Sequence, residues 1–179
     1  MTNKNNMKKL TLIRHSKSSW DDPSLADRER PLKARGKKDA LLIGYKLEEE
    51  KIIPDKIISS SAKRAYDSAK RIAECLKYPE SKIAITDDIY LAGIPQLVQL
   101  IQNLKDKWKH VFLFGHNPDF TELPNLYGKN KILNLPTTGV YQISFKCDKW
   151  ADISLDNGKN TYFLTPKMLK QHKEKIENL

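Results

Sequence analysis

The sequence predicts a three-layer α/β/α sandwich around a mostly parallel central sheet. Two observations carry this. Short apolar runs alternate over most of the chain with longer stretches whose apolar positions recur at helical spacing, the pattern of a parallel sheet flanked by helices. The last two apolar runs instead lie close together across Asp156, Asn157 and Gly158, which predicts an antiparallel pair at one edge.

The elements follow in order. Leu10 to Ile13 reads as a buried strand. Pro31 opens a helix running to about Lys51, with Ala40, Ile43 and Leu47 on one face. Ile57 and Ile58 follow Pro54 as a second strand. Ser60 or Ser61 is placed to cap the next helix, where Ala62, Ala65, Ala69, Ile72, Ala73 and Leu76 share a face. Lys82 to Thr86 is a third strand. A helix from Ile94 to Lys107 turns Leu97, Val98, Ile101 and Leu104 inward. Val111 to Phe114 is a fully apolar strand, and a short helix follows Pro118. Val140 to Phe145 and Tyr162 to Leu164 are the last strands, before a Lys-rich helix over 166–179.

The 179 residues, with neither internal repeat nor Gly/Ser linker, suit a single domain with its core over about 8–165. At 39% hydrophobic and 30% charged residues the composition is globular. No apolar run reaches the ~18 residues of a membrane span. The four residues Leu10 to Ile13 are too short for a secretory signal, so a cytoplasmic location is expected. Cys75 and Cys147 fit no CxxC pattern and read as reduced thiols. His15, His110, His116 and His172 make no metal set with them, and no cofactor is expected.

The formal net charge is +10, with a dense cluster at Arg28, Arg30, Lys33, Arg35, Lys37 and Lys38. Such a field favours anionic partners. Residues 28–38 contain no aromatic side chain, which argues against a nucleic-acid groove. GxxxxGK[ST], GxGxxG, GxSxG and HExxH are all absent.

In parallel sheets, sites form beyond the carboxyl ends of the strands. Three polar groups meet that condition: Arg14, His15 and Ser16 after the first strand; Ser59 to Ser61 with Arg64 after the second; and Gly115, His116, Asn117 and Pro118 after the apolar strand. Together they bring two arginines, two histidines and a helix N-terminus to one edge. That set suits a tetrahedral dianion, because guanidinium forks and helix N–H groups bind phosphate and neutral imidazole can attack phosphorus. Each group alone is compatible with a structural role, and the signal is their conjunction.

This order of motifs resembles the histidine phosphatase superfamily, with its phosphoglycerate-mutase-like fold, and within it the small SixA-type phosphohistidine phosphatases. The family's Arg-His-Gly opening corresponds to Arg14, His15 and Ser16. Its second motif corresponds to Ser59 to Ser61 with Arg64 and Ala65, and its late histidine to His116. The SixA-like Arg-Pro-Leu before a glycine-containing helix corresponds to Arg30, Pro31 and Leu32 with Gly36. Residues Leu135 to Gly139 match the stretch before a late strand. The resemblance spans roughly residues 8–165.

The resemblance implies that His15 is the nucleophile and that Arg14, Arg64 and His116 form the phosphate pocket, with Asn117 beside it. Arg30 would line the pocket or orient a neighbour, and Ser16 departs from the motif glycine. The general acid is open. Asp87 and Asp88 stand after the third strand, and Asp22 and Asp27 lie in the loop after His15. An alkoxide leaving group needs such an acid, whereas imidazole leaving from phosphohistidine needs far less help. The expected substrate is therefore a phosphorylated protein carrying phosphohistidine. The alternatives are a small phosphate monoester and a non-catalytic phosphoprotein-binding role. The sequence leaves the oligomeric state open, a monomer being sufficient.

Overall fold

The computed structural model describes residues 7–177, with side chains through Gln171. The side chain of His172 and residues 178–179 of the expected terminal helix lie outside the described residues. The elements are β1 (Lys8–Arg14), α1 (Ala34–Glu49), β2 (Lys56–Ser60), α2 (Lys63–Cys75), β3 (Ala84–Thr86), α3 (Ile94–Gln102), β4 (His110–Gly115), α4 (Asp119–Tyr127), β5 (Val140–Phe145), β6 (Gly158–Leu164) and α5 (Pro166–Glu177).

Six strands form one sheet in the order β3-β2-β4-β1-β5-β6. β3, β2, β4 and β1 are mutually parallel, and β5 runs antiparallel to both β1 and β6. The expected antiparallel edge pair is thus β5 with β6, and β5 has the bounds its apolar run predicts.

Strand side chains alternate between two buried layers, as the pleat requires. Leu10, Leu12, Val111, Leu113, Tyr141, Ile143 and Phe145 join a cluster with Leu97 and Ile101 of α3 and Phe120 and Leu123 of α4. Ile13, Phe112, Phe114 and Val140 face the other way, onto Ala40, Ile43 and Leu47 of α1 and Ala69, Ile72 and Ala73 of α2. Helices on both faces make the three layers. Among the described residues no helix is long and apolar enough to cross a membrane. Cys75 is buried and Cys147 half-buried, and neither forms a disulfide.

Three local expectations are corrected. α1 begins at Ala34, not Pro31, because Pro31 lies in an extended segment paired with the loop after β1. Ser19 N–H donates to the Pro31 carbonyl and Lys33 N–H to the Lys17 carbonyl, around an isolated Ser18–Leu32 bridge. Gly36 lets that loop sit directly on the helix, since a Cβ there would meet the Lys17 carbonyl oxygen at 2.3 Å. α2 has Ala62 at its N-cap and no side-chain cap, because Ser60 ends β2 and both serines point to other partners. α3 stops at Gln102, where the Asn103 amide donates to the Gln99 carbonyl at 2.8 Å.

Candidate active site

The parallel register brings the three motifs together. Arg14 at the end of β1 pairs with Gly115 at the end of β4, and Ser59 near the end of β2 pairs with Phe114. Their loops emerge on one sheet edge. They border a cavity of about 180 Å³ lined by Arg14, His15, Lys17, Ser18, Trp20, Arg30, Arg64 and Thr137.

His15 is fixed through its backbone and its ring. Its N–H donates to the Gly115 carbonyl, and ring Nδ1 lies 2.8 Å from the Ser16 carbonyl oxygen. A carbonyl only accepts, so Nδ1 carries the proton and Nε2 keeps its lone pair. Burial, reinforced by the charges of Arg64, Arg14 and Arg30 and opposed by the Ser16 hydrogen bond, lowers the His15 pKa to about 4. The ring is neutral at pH 7.

His116 stands beside it, with ring centroids 5.1 Å apart. Its Nε2 lies 2.8 Å from Ser60 Oγ. Ser60 Oγ already accepts from the Ala62 N–H, so its own proton is free to go to Nε2. The other ring nitrogen, Nδ1, is buried and has no partner. Burial and the neighbouring His15 lower its pKa to about 3.

Arg14 is anchored at one end only. Its Nη1 donates to the Leu135 carbonyl at 2.8 Å and to Asn134 Oδ1 at 3.4 Å, while its buried Nε has no partner. Four buried side-chain polar atoms are unpartnered among the described residues, and two of them, Arg14 Nε and His116 Nδ1, belong to side chains flanking His15.

Arg64, in the first turn of α2, is 6% exposed. It donates to the Asp27 carbonyl and to Asp27 Oδ2. Arg30 is equally buried and donates to Ser19 O, Asp27 Oδ1 and Ser18 Oγ. It therefore both lines the cavity and orients its neighbours. Burial alone would raise the Asp27 pKa, but hydrogen bonds from Tyr90, Arg64 and Arg30 outweigh it and hold the carboxyl at about 2.

The remaining candidates are placed elsewhere. Asn117 donates to Asn134 Oδ1 and the Leu135 carbonyl and accepts from Thr121, so its amide is committed to holding the 134–135 segment rather than to an anion. Asp88 accepts from Thr86 and Gln96. Asp87 pairs with Arg28 at 2.9 Å and accepts from Ser61. Asp22 accepts from Ser24 in an exposed turn. Of the four aspartates only Asp27 reaches the site arginines, and it does so as a carboxylate with no proton to give at neutral pH.

Sequence reasoning did not find Tyr90, whose hydroxyl donates to Asp27 Oδ2 and whose ring meets His116 edge-on at 5.5 Å. It also did not find Trp20. The Leu135 to Gly139 stretch, noticed only as a motif, closes the site. Thr138, at φ +61°, sends its N–H to the Arg14 carbonyl and its hydroxyl to Ser16 Oγ. Ser16 takes the place of the motif glycine without strain, fully buried, with its N–H on Ser68 Oγ. Among the described residues no group of three or more His, Cys, Asp or Glu side chains could hold a metal ion.

Residues 10–89 match the family model of the histidine phosphatase superfamily, branch 1. That match spans under half of the chain and agrees with the resemblance that the sequence motifs carry. An uncharacterized chloroplastic protein of Arabidopsis thaliana is 30% identical over 127 residues, 66% of this chain and 58% of that protein. The chain thus spans under two thirds of that relative's length. The protein histidine phosphatase SixA complexed with tungstate superposes with a TM-score of 0.75 at 18% identity, over 90% of this chain and 99% of that one. A mycobacterial glucosyl-3-phosphoglycerate phosphatase complexed with VO3 superposes with a TM-score of 0.64 at 14% identity, over 88% and 99%. At these identities the likeness is one of fold, and it agrees with the phosphoglycerate-mutase-like sandwich expected from the sequence.

Proposed function

We propose that this chain is a phosphatase of the histidine phosphatase superfamily that transfers a phosphoryl group to His15 Nε2 and then to water, with phosphohistidine in proteins as its substrate. The observation that carries the reading is the neutral His15 ring, its Nε2 lone pair left free by the Ser16 hydrogen bond, in a cavity also lined by Arg14, Arg30 and Arg64. A phosphoryl group in the cavity would meet the Arg14 and Arg64 guanidinium groups that line it, so charge developing on the equatorial oxygens meets cations already in place.

In the first step Nε2 attacks phosphorus as the bond from phosphorus to the substrate's ring nitrogen breaks. The electron pair returns to that ring, which leaves as neutral imidazole when its other nitrogen carries a proton. Water then attacks phosphorus, the bond to Nε2 breaks, and phosphate departs with His15 neutral again.

The placement of the aspartates supports phosphohistidine over a phosphate ester. An alkoxide must be protonated as it leaves, and Asp22, Asp87 and Asp88 are engaged away from the cavity while Asp27 is held ionised. A monoesterase is the second reading, favoured by the likeness to the glucosyl-3-phosphoglycerate phosphatase fold. Turnover of a phosphohistidine protein and of several phosphate monoesters, measured for the wild type and for each Asp→Asn variant, separates the two. Hydrolysis of phosphohistidine with less than ~10-fold loss for Asp22→Asn, Asp87→Asn and Asp88→Asn is expected. A strong preference for monoesters, with one of these aspartates indispensable, would overturn the substrate assignment.

A further inference from the structure

We infer that Trp20 is a stacking subsite for the imidazole ring of a substrate phosphohistidine, an inference that rests on the phosphatase reading above. Trp20 is 71% exposed, yet its indole is not loose. The Arg30 guanidinium lies over the ring, 3.2 Å from its centroid. Arg30 is itself immobilised by hydrogen bonds to Ser19 O, Ser18 Oγ and Asp27 Oδ1 at 2.8–2.9 Å. The indole therefore rests on a fixed, buried cation, and with one face so covered its exposure lies on the other face and the edge. It also lines the same cavity as His15, Arg14 and Arg64.

Geometry then selects the ligand. The cationic and imidazole groups draw the phosphoryl group into the cavity. The atom bonded directly to phosphorus stands beside that group, and Trp20, exposed and lining the same cavity, is placed to meet it. In phosphohistidine that atom belongs to a flat aromatic ring, which can lie against an indole face. In an alkyl or acyl phosphate it is an oxygen bearing a non-aromatic group, which gains little from the same surface. Aromatic pairs prefer offset or edge-on contact at ring separations of roughly 4.5–7 Å, within reach of a ring one bond from the transferred phosphorus.

The test uses the full chain with Trp20→Ala and Trp20→Phe. For a phosphohistidine peptide, Trp20→Ala should raise KM roughly 3- to 10-fold, the scale of one aromatic pair, and Trp20→Phe should keep most of the wild-type value. KM for acetyl phosphate should move less than about twofold. Calorimetric titration in a His15→Ala background, which binds without turning over, should show the same loss of affinity for the peptide on Trp20→Ala and a change below about twofold for inorganic phosphate. Peptide KM and Kd that stay within twofold overturn the inference. So does an equal loss for inorganic phosphate, which would mean that the indole only supports Arg30. If the wild type hydrolyses monoesters but no phosphohistidine, the substrate assignment fails, and the Kd comparison still decides whether Trp20 stacks on the ring.

Discussion

Arg64 donates from Nη2 to Asp27 Oδ2 at 2.9 Å and from Nη1 to the Asp27 carbonyl at 2.6 Å. One residue thus fixes both ends of the guanidinium fork. The other carboxylate oxygen of Asp27 holds Arg30 at 2.8 Å. Asp27 spaces two arginines that would otherwise repel, and it was visible in the sequence only as one of four possible acids. Asp27→Asn keeps the shape but removes the charge. It should lower kcat/KM about 10-fold, mainly through KM, and leave far more activity than loss of His15, because it positions Arg64 and transfers no proton. Steady-state kinetics on a phosphohistidine peptide check this; a loss as large as that of His15→Ala would give Asp27 a direct part in the chemistry.

His15→Ala should lower turnover by more than ~1,000-fold, since in the proposed mechanism the imidazole forms the bond to phosphorus. Rapid quench of the wild type with labelled substrate should capture a phosphoenzyme that is stable in alkali and lost in acid. The variant should show none. Near-native turnover without His15 would sink the mechanism.

Arg64→Ala should cost at least ~100-fold in kcat/KM, the scale of removing one preorganised donor from developing charge. Arg64→Lys should recover only part, because an ammonium cannot meet both Asp27 acceptors and a phosphate oxygen in one plane. Full recovery by lysine would reduce Arg64 to bulk charge.

The two site histidines contribute to the response to acid, together with His110 outside the site, whose pKa burial also lowers to about 4. The site pair's folded pKa values of about 4 and about 3 lie below the ~6.5 of an unfolded histidine, so between these limits the unfolded chain binds more protons. Stability from keeping them neutral is therefore full above pH 6.5 and falls as pH drops towards 4 and below. Urea midpoints should decline across that window, and less steeply in His15→Gln. After correction for substrate ionisation, kcat/KM should hold its plateau through pH 6 and fall near pH 4, the acid limb reporting the free enzyme. A limb at pH 6.5 would mean that neither ring is held neutral.

The framework was legible because it is local. β5 keeps the bounds of its apolar run, and the three motifs stand at the ends of β1, β2 and β4, which periodicity and composition mark directly. The site's finer wiring was not, because it joins residues distant in sequence. Ser60 reads as a cap beside its own helix, but its hydroxyl serves His116, 56 positions away. Asn117 reads as a ligand of the anion until Asn134 and Leu135 are seen to occupy it. Trp20 carries no pattern at all, and its place follows only from Arg30 beneath it.

The Thr138 clamp has a consequence for the order in which the protein comes into being. Ser16 and the Thr138 hydroxyl that meets it are 122 positions apart, and the carbonyl of Leu135 that anchors Arg14 is 121 positions from it. During synthesis His15 leaves the ribosome more than a hundred residues before the segment that holds its loop. A nascent chain ending near residue 130 would contain every residue matched by the family model, 10–89, and still lack the clamp. The proposed competence to form a phosphoenzyme is thereby tied to synthesis of the 135–139 segment, and a product terminated before it would carry His15 without the fixed pocket around it.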